Sequence, residues 1–168
     1  DELFIFHQHV RIRTHLGLIQ ARQASWMKEG DDDAKTAAFA RAKETLLDAE
    51  AFAVEFPLVN DSLSHAIILL RKSELKILRV RTWPVFQAHH KHLLGVKSAE
   101  ETTGLESSAL LTRFRLIQEV WECLDRAEEL LKPHAKNEWW PQLAFVLRVQ
   151  ALESNFILKD IQLKDIQF

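Results

Sequence analysis

Large apolar side chains recur every third or fourth position through most of the chain, the spacing that lays them along one side of an α-helix. Over residues 3–28 the stripe is Ile5, Ile12, Leu16, Ile19 and Trp26, with Arg11, Arg22 and Gln23 off it, which predicts a first helix that packs through those five residues. Gly30 and the run Asp31-Asp32-Asp33 stop it and set carboxylates at the positive end of the next helix dipole. Residues 34–56 carry Phe39, Ala42, Leu46, Ala49 and Ala53, and Pro57 ends them. So many alanines predict the close approach of a neighbouring helix.

Asn60-Asp61-Ser62 offers three N-cap residues for a helix over 61–94. Its main stripe is Leu63, Ile67, Leu70 and Ile77, and Ala66, Ile68 and Leu78 widen the apolar arc, so this helix is expected at the centre of the fold. Pro84 lacks an N–H and breaks the pattern, either as a kink or as the first residue of a short separate helix that Gly95 closes. Residues 96–104 are polar and glycine-bounded, a loop. Residues 105–132 show Leu110, Phe114, Ile117, Trp121, Leu124 and Leu131 before Pro133. A last helix over 141–167 is expected to open at Pro141 and to pack through Phe145, Val149, Leu152 and Phe156. The chain ends on Leu-Lys-Asp-Ile-Gln written twice, a five-residue repeat that spreads its apolar residues around a helix. No stretch alternates with period two and no Asn-Gly turn occurs, so the fold class is all-α. Five or six long antiparallel helices form one domain over 1–168, as a bundle or as stacked hairpins.

Composition narrows the class. A chain of 168 residues with 47% hydrophobic and 27% charged residues has the make-up of a single soluble globular domain. A net charge of −2 gives no global field towards nucleic acid or membrane. One cysteine forms no intrachain disulfide, so an intracellular, reducing compartment is expected, cytoplasm and nucleus alike. The apolar run Leu3-Phe4-Ile5-Phe6 is broken at once by His7, Gln8 and His9, too short for a membrane span or a signal core. A first residue of Asp suits a processed chain or a fragment.

Catalytic and metal signatures are sparse. Among eight histidines, His89 and His92 alone have the three-residue spacing that shares a helix face, and they are the candidate metal ligands. No HExxH, CxxC or Glu-x-x-His occurs, so no metal or other cofactor is assigned. Cys123 lies at helical spacing with Leu116, Val120 and Ala127, as a small buried residue would. There is no GxSxG and no phosphate-binding glycine loop, and no catalytic residue is assigned.

Two features point to partners instead. Lys72, Lys76 and Arg79 share one face of the third helix, close to Arg71, and Glu74 is the only acid between Asp61 and Glu100. This face either meets an acidic protein surface or nucleic-acid phosphates, or it answers the acids Glu44, Asp48, Glu50 and Glu55 of the neighbouring helix. The pair Trp139-Trp140 either anchors a partner or staples its connector to the bundle.

The stretch from Trp121 through Cys123, Ala127 and Leu131 to Pro133 resembles the second helix of a tetratricopeptide-type hairpin, with a large residue, a following alanine and a terminal proline. The Trp-Leu-Gly-Tyr signature of that family's first helix is missing, and no repeat of about 34 residues is present. Such a resemblance implies binding in a groove between stacked helices. The expected function is therefore a non-enzymatic protein-interaction or scaffolding module, the helical part of a larger regulator, contacting its partner through Lys72, Lys76, Arg79, Trp139 and Trp140. The alternatives are nucleic-acid association through Arg71, Lys72, Lys76 and Arg79, or a bundle that senses a small ligand or metal.

Overall fold

A computed structural model describes residues 2–27, 32–55, 62–95, 107–134, 136 and 139–166. Six α-helices account for nearly all of them: α1 (Glu2–Ser25), α2 (Asp32–Glu55), α3 (Ser62–Arg81), α4 (Pro84–Leu93), α5 (Ser107–Leu131) and α6 (Trp139–Ile166). A single 3₁₀ turn, Lys132–His134, follows α5 at Pro133. No strand occurs among the described residues. The expected loop at 96–104 and the acidic and Asn-Asp stops at Asp31 and Asn60-Asp61 lie outside them.

Pro84 ends the third helical segment and starts the fourth. Thr82 N–H still donates to Leu78 O and Trp83 N–H to Val80 O, but the chain then turns, and Pro84 takes the first position of α4, where no N–H is needed. Gly95 closes α4 with φ +79°, the left-handed conformation that a side chain disfavours, and its N–H reaches His92 O. At the other proline the expectation shifts. α6 begins at Trp139, two residues before Pro141, which still lies in the first turn where backbone N–H groups have no helical partner.

Consecutive long helices run antiparallel. Arg13 meets Asp48 and Gln20 meets Thr45 across α1 and α2, so one index rises as the other falls. Lys72 meets Glu50 across α2 and α3, and Ser62 meets His134 while Lys76 meets Glu119 across α3 and α5. α3 is the element that touches every other α-helix, as its wide apolar arc predicts. The hairpin α1–α2 covers one side of it and the hairpin α5–α6 the other. Ala66, Leu70 and Ile77 of α3 pack with Val120, Leu124 and Ala127 of α5 and with Ala144, Leu147 and Ala151 of α6. Leu75 packs instead with Ala42 and Leu46 of α2 and Ala21 of α1.

Two expected core stripes face the other way. Ile5, Ile12, Leu16, Ile19 and Trp26 of α1 are exposed, and α1 buries Val10, Thr14, Leu18, Ala21 and Ala24. Phe145, Val149, Leu152 and Phe156 of α6 are likewise exposed, while Ala144, Leu147, Ala151, Ser154, Leu158 and Ile161 are buried. On α1 the cause is steric: the helix lies so close to α2 that a Cβ on Gly17 would stand 2.7 Å from Leu46 Cγ, so Gly17, Ala21 and Ala24 line the seam beside Val10 and Leu18, and the bulkier stripe is left outside.

Candidate functional site

α2 and α5 flank the same face of α3, and the space between them is a trough of about 260 Å³. Leu46, Leu75 and Leu116, all buried, form its apolar floor. Around this floor stand Lys43 from α2, Lys72, Lys76 and Arg79 from α3, and Arg115 from α5, with Glu119 the only carboxylate among the described lining residues. The helix period explains the convergence: 72, 76 and 79 follow four- and three-residue steps and so share one face of α3.

The sequence left open whether neighbouring acids neutralise this face. They do so in part. Lys72 Nζ donates to Glu50 Oε2 at 2.9 Å and Lys76 Nζ to Glu119 Oε2 at 2.9 Å. The acids differ from most of those expected, since Asp48 pairs with Arg13 and Glu119 comes from α5. Among the described residues no carboxylate pairs with Lys43, Arg79 or Arg115. The excess charge reaches behind the trough. Arg113, stacked 4.5 Å from the Trp83 ring centre, is held below its ordinary pKa by burial and then by the positive charge of Arg79.

Arg71 does not belong to this face. It is buried one residue round the helix, its Nη1 donates to both carboxylate oxygens of Glu74 at 3.1 Å, and its guanidinium lies 5.4 Å from the Trp140 ring centre. A phosphate-binding set that includes Arg71 is therefore excluded, because the side chain is buried away from the trough and its charge is paired with Glu74. The two tryptophans also part company. Trp140 packs against the core formed by α3, α5 and α6, the stapling role, whereas Trp139 is exposed at the start of α6. α6 contributes nothing to the trough, so the structure does not bring Trp139 or Trp140 together with Lys72, Lys76 and Arg79.

The histidine pair is not assembled as a metal centre. His89 Nε2 stands 3.3 Å from Asp160 Oδ2 of α6, while His92 is exposed, and no cluster of three or more ligating side chains exists among the described residues. Burial, helped by the Lys164 charge and opposed by Asp160, holds His89 below its ordinary value of 6.5. Its neighbour His90 lies 3.3 Å from Glu153 Oε1, so both rings pack α4 against α6, the His89–Asp160 contact without a hydrogen bond. Cys123 is half-buried, and burial pushes its thiol up, away from the reactive thiolate.

Lys43 and Arg115 are trough residues that the sequence alone did not single out. Each follows or precedes a buried stripe residue, Ala42 and Leu116 respectively, which places it at the rim once the flanking helices are known. No family model matches the sequence, and neither a curated protein nor a solved structure matches it. No helix among the described residues is long and apolar enough to cross a membrane.

Proposed function

We propose that this chain is a non-enzymatic protein-interaction module whose trough between α2, α3 and α5 takes an acidic, leucine-bearing segment of a partner protein. The observation that carries this reading is the pairing of a leucine floor with three cations, Lys43, Arg79 and Arg115, that no carboxylate answers among the described residues. Residues 72 to 79 span about 11 Å of helix, so the trough suits two turns of an amphipathic helix, with apolar anchors down and glutamates at the rim. Its volume falls below the roughly 300–1,000 Å³ of a drug-sized ligand site, which favours a segment laid across it over an enclosed small molecule. Nucleic acid suits it less well. Among the described residues the lining contains no aromatic side chain on which a base could stack, and its leucines would stay unused against phosphates.

Two probes separate the readings: a labelled helical peptide with leucines at i and i+4 among glutamates, and a single-stranded oligonucleotide of equal charge. The peptide is expected to bind, with affinity lowered at least about tenfold by Arg79→Glu combined with Arg115→Glu. Oligonucleotide binding that dominates and falls about a thousandfold between low and physiological salt contradicts the proposal and assigns the trough to phosphates.

A further inference from the structure

The outer face of α6 remains after the trough is accounted for. Phe145, Val149, Leu152 and Phe156, with Leu163 one heptad further on, lie at alternating steps of four and three on the side of α6 opposite its buried residues. Phe145 is 67% exposed, Leu152 57% and Phe156 65%, whereas Leu147 and Ala151, on the inner side, are buried. Alternating four and three is the a/d spacing of a coiled-coil seam, which two helices share without drift. We propose that this face pairs with the same face of a second copy of the chain, the two α6 helices running antiparallel about a two-fold axis.

Three observations select that occupant and that orientation. First, the stripe is complementary to its own reverse: a register that sets Phe145 against Phe156 of the partner copy also sets Val149 against Leu152, so four apolar layers form from two kinds of contact. Such isologous pairing is what a two-fold axis requires. Second, the charges agree. In this register Lys159, which occupies a seam position, falls opposite the partner copy's Gln142, while Arg148 stays paired with Asp125 and Glu128 of α5 and Glu153 with Arg81, so no like charges meet at the seam. A parallel pair would instead press two Lys159 side chains together in the seam. Third, the area is sufficient. The two phenylalanines leave on the order of 100–150 Å² each uncovered. With Val146, Val149 and Leu152 the stripe offers roughly 500 Å² per copy, so a dimer buries about 1,000 Å², the lower limit of a specific interface. The matching stripe on α1 lacks this self-complementarity, because His9 and Gln23 interrupt its alternate positions and His9 is stacked on Phe52 of α2 at 4.2 Å.

Sedimentation velocity of the 168-residue chain across the micromolar range tests the pairing. The wild type is expected to shift from monomer to dimer, and Leu152→Glu, on an exposed site, to remain monomeric with an unchanged circular-dichroism melt of the dilute protein. A wild type that stays monomeric, or a Leu152→Glu chain that dimerises equally, overturns the proposal. Orientation is read by oxidative cross-linking in a Cys123→Ser background. Val149→Cys mixed with Leu152→Cys is expected to cross-link far faster than either variant alone. Faster cross-linking of Val149→Cys with itself contradicts the antiparallel register. The result is independent of the trough, since Arg79→Glu with Arg115→Glu leaves this face untouched.

Discussion

α5 and α6 form one hairpin, yet they treat their apolar residues in opposite ways. In α5 the large side chains are the core: Leu110, Ile117, Leu124 and Leu131 are buried, and Leu111 is the one large apolar residue of its exposed face. In α6 the inner seam is Ala144, Leu147, Ala151, Ser154 and Leu158, and the larger Phe145 and Phe156 look outward. The lesson is that a helical period marks the faces of a helix and leaves open which face turns inward. Where one face is apolar, burial settles the matter, at roughly 1.5–3 kcal/mol per large side chain. Where two faces are apolar, as on α6, the period does not choose between them, and packing against α3, α4 and α5 takes in Leu147, Ile157, Leu158 and Ile161 and leaves Phe145 and Phe156 out.

The largest expected effect concerns the polar pair buried beneath α6. Glu74→Ala leaves Arg71 charged and without its carboxylate under Trp140, and should lower stability by about 3–5 kcal/mol in urea unfolding. A loss below about 1 kcal/mol would mean that water reaches this pair.

The inner and outer faces of α6 are compared directly by two equal truncations. Leu147→Ala removes a side chain that is 3% exposed and should cost about 2–5 kcal/mol, whereas Leu152→Ala should change the stability of the dilute chain by less than about 0.5 kcal/mol. Equal costs would erase the distinction between the faces.

At the α1–α2 seam the effect is smaller because two terms oppose. Gly17→Ala gains up to about 1 kcal/mol of helix propensity, but its new methyl meets Leu46 Cγ and Cδ2 at 2.7 Å, an overpacking that costs about 1–3 kcal/mol. Net destabilisation in the melting curve is expected. A stabilised variant would show that α1 stands further from α2 than described.

The smallest effect is a pH dependence at the α4–α6 link. His89 is held below 6.5, by burial first and then by Lys164, so in the window below 6.5 the unfolded chain binds more protons than the folded one. Stability is therefore lost as pH falls through 6.5 towards the folded value. His65 shifts in the same direction, through burial and the Arg126 charge, and adds to the slope. His89→Gln should flatten part of this acid-side loss of melting temperature. An unchanged slope would place the titration elsewhere.

Much of this molecule is legible in the sequence, and what is not has a physical reason. Pro84 and Gly95 announce α4 because each forces a local backbone geometry. Phe39, Ala42, Leu46, Ala49 and Ala53 are readable as the core of α2 because their run is unbroken, whereas the exposed set Ala40, Leu47, Ala51 and Val54 is interrupted by Glu44. The central place of α3 follows from its wide arc. The burial of α1 was not legible, since Ile12 and Ile19 outweigh Ala21 and Ala24 in any ranking by bulk, and only the proximity of α2 reverses them. At the trough, the shared face of Lys72, Lys76 and Arg79 was readable from spacing alone. The inward turn of Arg71 was not, because Glu74 neighbours it on the helix whichever way that side faces, and Trp140 covers it only when α6 folds back onto α3.

The central claim, that the stripe of Phe145, Val149, Leu152 and Phe156 on α6 faces solvent while the opposite side of the helix is buried, is tested most directly by thiol labelling at two adjacent positions. In a Cys123→Ser background, Ala151→Cys and Leu152→Cys are exposed to a neutral thiol reagent in a chain dilute enough to be monomeric. The thiol at 152 is expected to react as fast as that of the unfolded chain, and the thiol at 151 at least about a hundredfold more slowly, limited by opening of the seam. Equal rates, or faster labelling at 151, would contradict it.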